Sequence, residues 1–443
     1  MNLDYDSFNV ESMLNPQGLT LDGIVSPQMP ATSPTVSPAI PDDTYGDDDF
    51  RKLKPVRCPQ MMLESHRMQL YDAVHGFSPV LPLFVFPSRL AIARYVSGYV
   101  DGFSHHHPFI HIPTLQLVSY LQTPELILAI LAIGAQYRYE NKTAFSLYEA
   151  SRAIVLERVR RGDLFCPHQD PVGEELSAHD WMHRIRTLLL LFVYTSWQNK
   201  PDLVLQAFEY QGVIARCLQW ARNESDRRTK LFAWCLLNLH GLAFDTPPVL
   251  LSRELNMFLP STCREWIARN QTEWKAARSH APDKMMVKEA QASHLRTDGN
   301  APPPPAASPM GNYILIHVLL QRIYLTQQLS HDPHVQSLLP SDIADLELAL
   351  DRWRHSWRTS PESALDLHNP SRSLSFTSTA LLGAARIRLH CNLGQWRDLQ
   401  SCNPDIIAAT LHEAPPPQRS PPGQKARLKD SGCGLCLLAR PKL

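Results

Sequence analysis

"TPELILAILAIGA" (residues 123–135) decides the fold class. Thr123 is a capping residue, Pro124 carries the φ that a first helical position needs, and Glu125 faces the positive end of a helix. From Leu126 to Ala135 every residue is apolar. A helix that is hydrophobic on all sides belongs at the centre of a larger body. Its ten apolar residues are too few to span a bilayer, which takes about 20.

Just upstream, "YVSGYVDGFSHHHPFIHIPTL" (95–115) places His105, His106, His107 and His111 within seven positions. Adjacent residues on a helix point about 100° apart, so the first three cannot ligate one ion together. His107 and His111 have i,i+4 spacing, but Pro108 between them would break the ladder unless a helix starts there. The only nearby carboxylate is Asp101. The expectation is a structural helix-to-loop corner and not a metal centre.

Downstream, 3.6-residue periodicity recurs. Ile185, Leu188, Leu189 and Phe192 share one face of 185–194. Leu231, Trp234, Cys235, Asn238, Leu239 and Leu242 share one face of 226–244. Ile316, Leu319, Leu320, Ile323 and Tyr324 do so in 313–325. Segment 341–357 begins with a Ser341 cap and continues with Ile343, Leu346, Leu350, Trp353 and Trp357. No run alternates as strands do, and no Gly-rich phosphate loop is present. The fold class read from these patterns is all-α: a multi-helix body over 86–397, interrupted by a polar, Pro-rich linker at about 276–311. A Pro- and base-rich tail follows over 398–443.

The chain has 443 residues and no formal net charge, but the charge is unevenly spread. Residues 1–50 hold nine acids and no Lys or Arg. With three Ser-Pro pairs and few bulky residues, 1–85 reads as a disordered acidic tail. Within it, Leu3, Tyr5, Phe8, Val10, Met13 and Leu14 interleave with Asp4, Asp6 and Glu11, the composition of an activation segment. Arg51, Lys52, Lys54 and Arg57 form a basic cluster that reads as a charge step at a domain edge, a nuclear-import signal or the edge of a DNA-contacting segment. The first residues have no basic start and no apolar core, so no secretory signal is expected. Nine scattered cysteines fit reduced thiols better than a disulfide framework.

Catalytic constellations are weak. A helical phosphohydrolase of the HD type needs His…His-Asp…Asp, and His106 or His107, His179-Asp180 and Asp245 occur in that order. His179-Asp180 lies in a polar segment, where Asp180 reads better as the cap of a helix beginning at Trp181. Cys433 and Cys436 form a lone C-x-x-C, half a zinc site at best. Cys58 is the only cysteine before Cys166, so neither a C2H2 finger nor a six-cysteine cluster can be built ahead of the helical body. No catalytic residue, metal or cofactor is expected.

"RYVSGYVDGFSHHHPFIHIPTL" (94–115) resembles the opening of the fungal-specific transcription factor domain, or middle homology region. There a helix rich in Tyr and Phe runs into a His–Pro tract, here with Pro108, Phe109, His111, Pro113 and Thr114 at matching places. "PELILAILAIGAQY" (124–137) resembles the family's next helix, where small residues allow close packing. Stretch 184–220 looks like its helix pair around an aromatic-polar turn. Stretch 224–266 is similar to its Glu-x-x-Arg-Arg helix, Pro-Pro turn and Leu-Pro…Trp close. The wording is nearest the branch that usually follows C2H2 zinc fingers.

The resemblance implies a nuclear transcriptional regulator, often of a secondary-metabolite gene cluster. Its partners would be the transcription machinery or co-regulators. DNA would be reached through a partner, in a homo- or heterodimer, with no membrane involved. The alternatives are the HD-like enzyme and a non-DNA-binding helical scaffold or antagonist of a related factor. Glu224 and Arg228 read as a helix-start ion pair contributing a few tenths of a kcal/mol.

Overall fold

Two helices too apolar to face water set the architecture, and the rest wrap around them. The computed structural model describes residues 62–161, 178–196, 198, 200–218, 223–296, 304–329, 338–365, 369, 371–390 and 404–413. These fall in one unit, Pro55–Leu443. Among the described residues there are helices and no strand, and Phe258 and Met286 form an isolated antiparallel bridge. The all-α class is therefore observed.

The first half contains α1 (Glu64–His75), α2 (Arg89–Gly98), α3 (Pro124–Gln136), α4 (Asn141–Arg160), α5 (Ala178–Ser196) and α6 (Pro201–Cys217). α3 is buried from Pro124 to Ala135, and α1, α2, α4 and α5 pack on it. The approach of α2 is backbone to backbone. A Cβ on Gly134 would lie 1.8 Å from the Tyr95 carbonyl oxygen, and one on Gly98 would lie 2.3 Å from that of Gly134. Thr123 holds the N-cap position, but its hydroxyl donates to the Tyr120 carbonyl and caps nothing. Glu125 is fully buried, with Arg158 Nε 2.8 Å away. The packed body begins earlier than residue 86, because Leu70 and Val74 of α1 belong to the main core.

The second half contains α7 (Glu224–Phe244), α8 (Cys263–Ile267), α9 (Gln271–Ser279), α10 (Val287–His294), α11 (Pro309–Leu329), α12 (Pro340–Thr359), α13 (Arg372–His390) and α14 (Pro404–His412). α7 packs on both α5 and α11, joining the two halves of the core. The stripe expected on α11 is there, but the helix is buried on all sides from Pro309 to Gln321. α7, α10, α12 and α13 all cover it, leaving no solvent face.

Four local expectations change. α12 begins at Pro340 with Leu339 before it, so Ser341 lies inside the first turn and is not its cap. α5 begins at Ala178, which puts Asp180 in its first turn, not ahead of Trp181. The stretch 276–311 is more ordered than its composition suggested. It contains the end of α9, all of α10, and an extended segment at 304–308 strapped to α12. Ser356 Oγ donates to the Pro305 carbonyl at 3.0 Å, and Ser360 Oγ to that of Ala307 at 2.9 Å. In the C-terminal region, α14 lies where no helix was expected.

Candidate functional site

The histidine–proline tract begins with an irregular helix end. α2 runs on into a π-helical turn, Tyr99–Phe103, closed where the Ser104 N–H donates to the Tyr99 carbonyl at 2.9 Å. A π turn inserts one residue and swings the exit of the chain. Gly102 is required there, because a Cβ would lie 2.1 Å from the Tyr137 ring.

The four histidines then part company. His105 faces a cavity. His106 Nδ1 lies 3.4 Å from Thr377 Oγ1. His107 lies flat on Phe103 at 4.1 Å, meets Phe232 edge-on, and its Nδ1 is 3.1 Å from the Phe103 carbonyl. Its Nδ1 must therefore carry the proton. Burial pushes its pKa down to about 3, with His106 adding to the shift. Burial likewise takes His106 down to about 4. His111 Nδ1 is 2.8 Å from Thr114 Oγ1, and its ring meets Trp266 edge-on. Phe109, between them, is fully buried against Phe103 and Phe232. The tract is a structural corner, as its sequence suggested.

The far side of the corner bounds a cavity of about 60 Å³. One wall is the tract itself, with Pro108, Ile110 and Ile112. A second wall comes from α8 with Cys263 and Trp266. The starts of α11 and α13 close it with Ser308, Met310, Ser371 and Leu374. Ser371 Oγ is 3.0 Å from Cys263 Sγ. Burial pushes that thiol up to about 12, so it stays protonated at neutral pH.

Arg228, on α7, lines the cavity and is 3 % exposed. It belongs to a clamp far larger than an isolated i,i+4 pair. Glu224 Oε1 accepts from Arg228 Nε at 2.9 Å and from the Ser261 N–H at 2.8 Å. Its Oε2 accepts from Arg227 Nη1 at 2.5 Å and Ser261 Oγ at 3.2 Å. Arg228 Nη2 donates to the Ser261 carbonyl at 2.8 Å, and its guanidinium lies 4.3 Å above the Trp266 ring centroid. The pair fastens the chain after the Pro-Pro turn back onto the start of α7. The few tenths of a kcal/mol expected for a surface pair understate it, because charge-assisted bonds in partly buried sites contribute roughly 1.5–3 kcal/mol each.

A second polar cluster sits between α7 and α11. Asn238 Nδ2 donates to the His317 carbonyl at 3.1 Å and lies 3.2 Å from His317 Nδ1. Gln321 Nε2 bonds Asn238 Oδ1 and the Leu250 carbonyl, and Gln321 Oε1 accepts from the Ser252 N–H. Burial pushes the His317 pKa down to about 3. This cluster pins the 250–252 turn to the core.

The other sequence candidates do not join this site. Leu3, Tyr5, Phe8, Met13 and Leu14, the basic residues Arg51, Lys52, Lys54 and Arg57, and Cys433 and Cys436 lie outside the described residues. So do the side chains of His179 and Asp180. Asp245 pairs with Arg388 at 3.5 Å. Among the described residues, no three His, Cys, Asp or Glu side chains are grouped as a metal site would need. No described helix is long and apolar enough to cross a membrane.

The sequence did not reveal the cavity. The i,i+4 spacing of Glu224 and Arg228 was visible, but its closure on Ser261, 37 residues away in sequence from Glu224, is set by the tertiary fold.

No family model, curated protein or solved structure matches this chain.

Proposed function

We propose that this chain is a nuclear fungal transcriptional regulator, with the helical body that opens at Glu64, ahead of the expected 86–397, as its regulatory part and a biosynthetic (secondary-metabolite) gene cluster as its target. No DNA-binding module is recognisable in these 443 residues, and DNA would be reached through a partner. The acidic-hydrophobic segment with Leu3, Tyr5, Phe8, Met13 and Leu14 would recruit the transcription machinery. Arg51, Lys52, Lys54 and Arg57 would serve import.

The main support is the His–Pro tract. Its Pro108, Phe109, His111, Pro113 and Thr114 resemble the family's pattern, and the same residues turn the chain between α2 and α3. The acidic residues of 1–50 add independent support, because they keep the interleaved hydrophobes solvated until a partner groove accepts them.

The test is a reporter assay with the full chain fused to a heterologous DNA-binding domain. Activation above the empty fusion is expected, and deletion of 1–50 removes most of it. A silent full-length fusion, or activation that survives the deletion, contradicts the assigned activation role.

A further inference from the structure

The cavity beside the histidine–proline corner has a chemical polarity that neither the fold nor the transcriptional role requires. Its charged lining is one guanidinium, with no carboxylate among the described lining residues. Arg228 commits Nε to Glu224 and Nη2 to the Ser261 carbonyl, while Nη1 makes no hydrogen bond. The residue as a whole is 3 % exposed, so an acceptor that reaches this nitrogen meets the charge where little water competes and gains more than one at the open surface would.

Two long helices begin at the same wall. Pro309 and Met310 open α11, and Leu374 lies in the first turn of α13. Helix amino ends carry partial positive charge and favour anions. The nearest carboxylates act elsewhere. Glu224 is saturated by Arg227, Arg228 and Ser261, and Glu362 accepts from the Cys263 and Arg264 N–H groups at 2.9 and 3.2 Å. They offset part of the Arg228 charge but supply no acceptor inside the cavity.

The remaining wall is mostly apolar, with Ile110, Ile112, Trp266 and Met310. At about 10–15 Å³ for each water-sized centre, a cavity of about 60 Å³ admits roughly four to six heavy atoms. We propose that this cavity binds a small aliphatic monocarboxylate. The carboxylate accepts from Arg228 Nη1, and the short apolar tail packs against Ile110, Ile112 and Met310. The site is argued from the cavity alone, so it stands or falls separately from the transcriptional role.

Saturation-transfer difference NMR on the purified full chain tests it, with isobutyrate as probe and isobutyramide as its uncharged isostere. One charge-assisted hydrogen bond corresponds to about a five- to tenfold preference for the acid. Two variants locate the signal. Arg228→Met removes the donor and also loosens the Ser261 clamp, so its folding is checked by its melting transition. Ile267→Phe fills the cavity from a half-buried wall position and leaves Arg228 in place. The expected result is a strong isobutyrate signal, a weak isobutyramide signal, and loss of the isobutyrate signal in Ile267→Phe and in folded Arg228→Met. No isobutyrate signal, equal signals from acid and amide, or a signal surviving in either folded variant overturns the proposal.

Discussion

At the scale of single residues, Gly134 is the least replaceable position in the first half of the chain. Its missing Cβ lets the Tyr95 carbonyl approach to where that atom would stand, 1.8 Å from it. Gly134→Ala must push α2 and α3 apart through backbone atoms that cannot rotate away. A destabilisation of about 1–3 kcal/mol or more follows, readable as a lower denaturation midpoint with an unchanged slope. Glu224 is the comparable residue in the second half. Glu224→Gln keeps the shape of the clamp but replaces one acceptor oxygen with a donor nitrogen, set either against Arg228 Nε and the Ser261 N–H or against Arg227 Nη1. A loss of about 2–3 kcal/mol is expected by urea denaturation, against a few tenths if the pair were only a surface ion pair. What the sequence showed at this scale was identity and spacing. That the histidine–proline tract ends a helix and turns the chain was legible from Pro108 and from the adjacency of His105, His106 and His107. That Arg228 keeps an unengaged nitrogen beside a cavity was not, because Ser261, Trp266, Ser308 and Ser371 meet it only through tertiary packing.

At the scale of elements, periodicity located the helices well and their ends poorly. The helical stripes at 185–194 and 226–244 became buried faces of α5 and α7. Two expected caps failed. Thr123 turned its hydroxyl to Tyr120, and α12 took Pro340 as its first residue, overtaking Ser341. The proline-rich segment read as loose because composition cannot report the serines of α12 that hold it. The seam between α7 and α11 gives the test at this scale. Asn238→Leu leaves the Gln321 amide and the His317 carbonyl short of partners they now have. A cost of roughly 1–3 kcal/mol is expected by thermal or chemical unfolding, with faster hydrogen exchange at the Ser252 N–H.

At the scale of the whole molecule, buried neutral histidines give stability a defined pH dependence. His107 and His317 both have folded-state pKa values lowered to about 3 by burial. The unfolded chain, near 6.5, therefore takes up the extra protons. Their neutral state is fully compatible with folding above about pH 6.5, and stability is lost as pH falls from there toward 3. At about pH 5.5 each histidine costs roughly 1.4 kcal/mol. Glu125 and Glu362, whose carboxyl pKa values burial raises, act in the opposite direction. A lower melting temperature at about pH 5.5 than at 7.5 is expected, with a smaller drop in His107→Phe, which keeps the packing against Phe103 but cannot protonate. The composition of residues 1–57 supports the proposed function: acids and interleaved hydrophobes before residue 50, then a basic cluster. Chromatin immunoprecipitation of the tagged full chain, in the organism that encodes it, tests the proposed regulatory role most directly. Enrichment at a restricted set of promoters, lost when the DNA-binding partner is removed, is the predicted result. A uniform background across the genome in cells where the protein is present would contradict it.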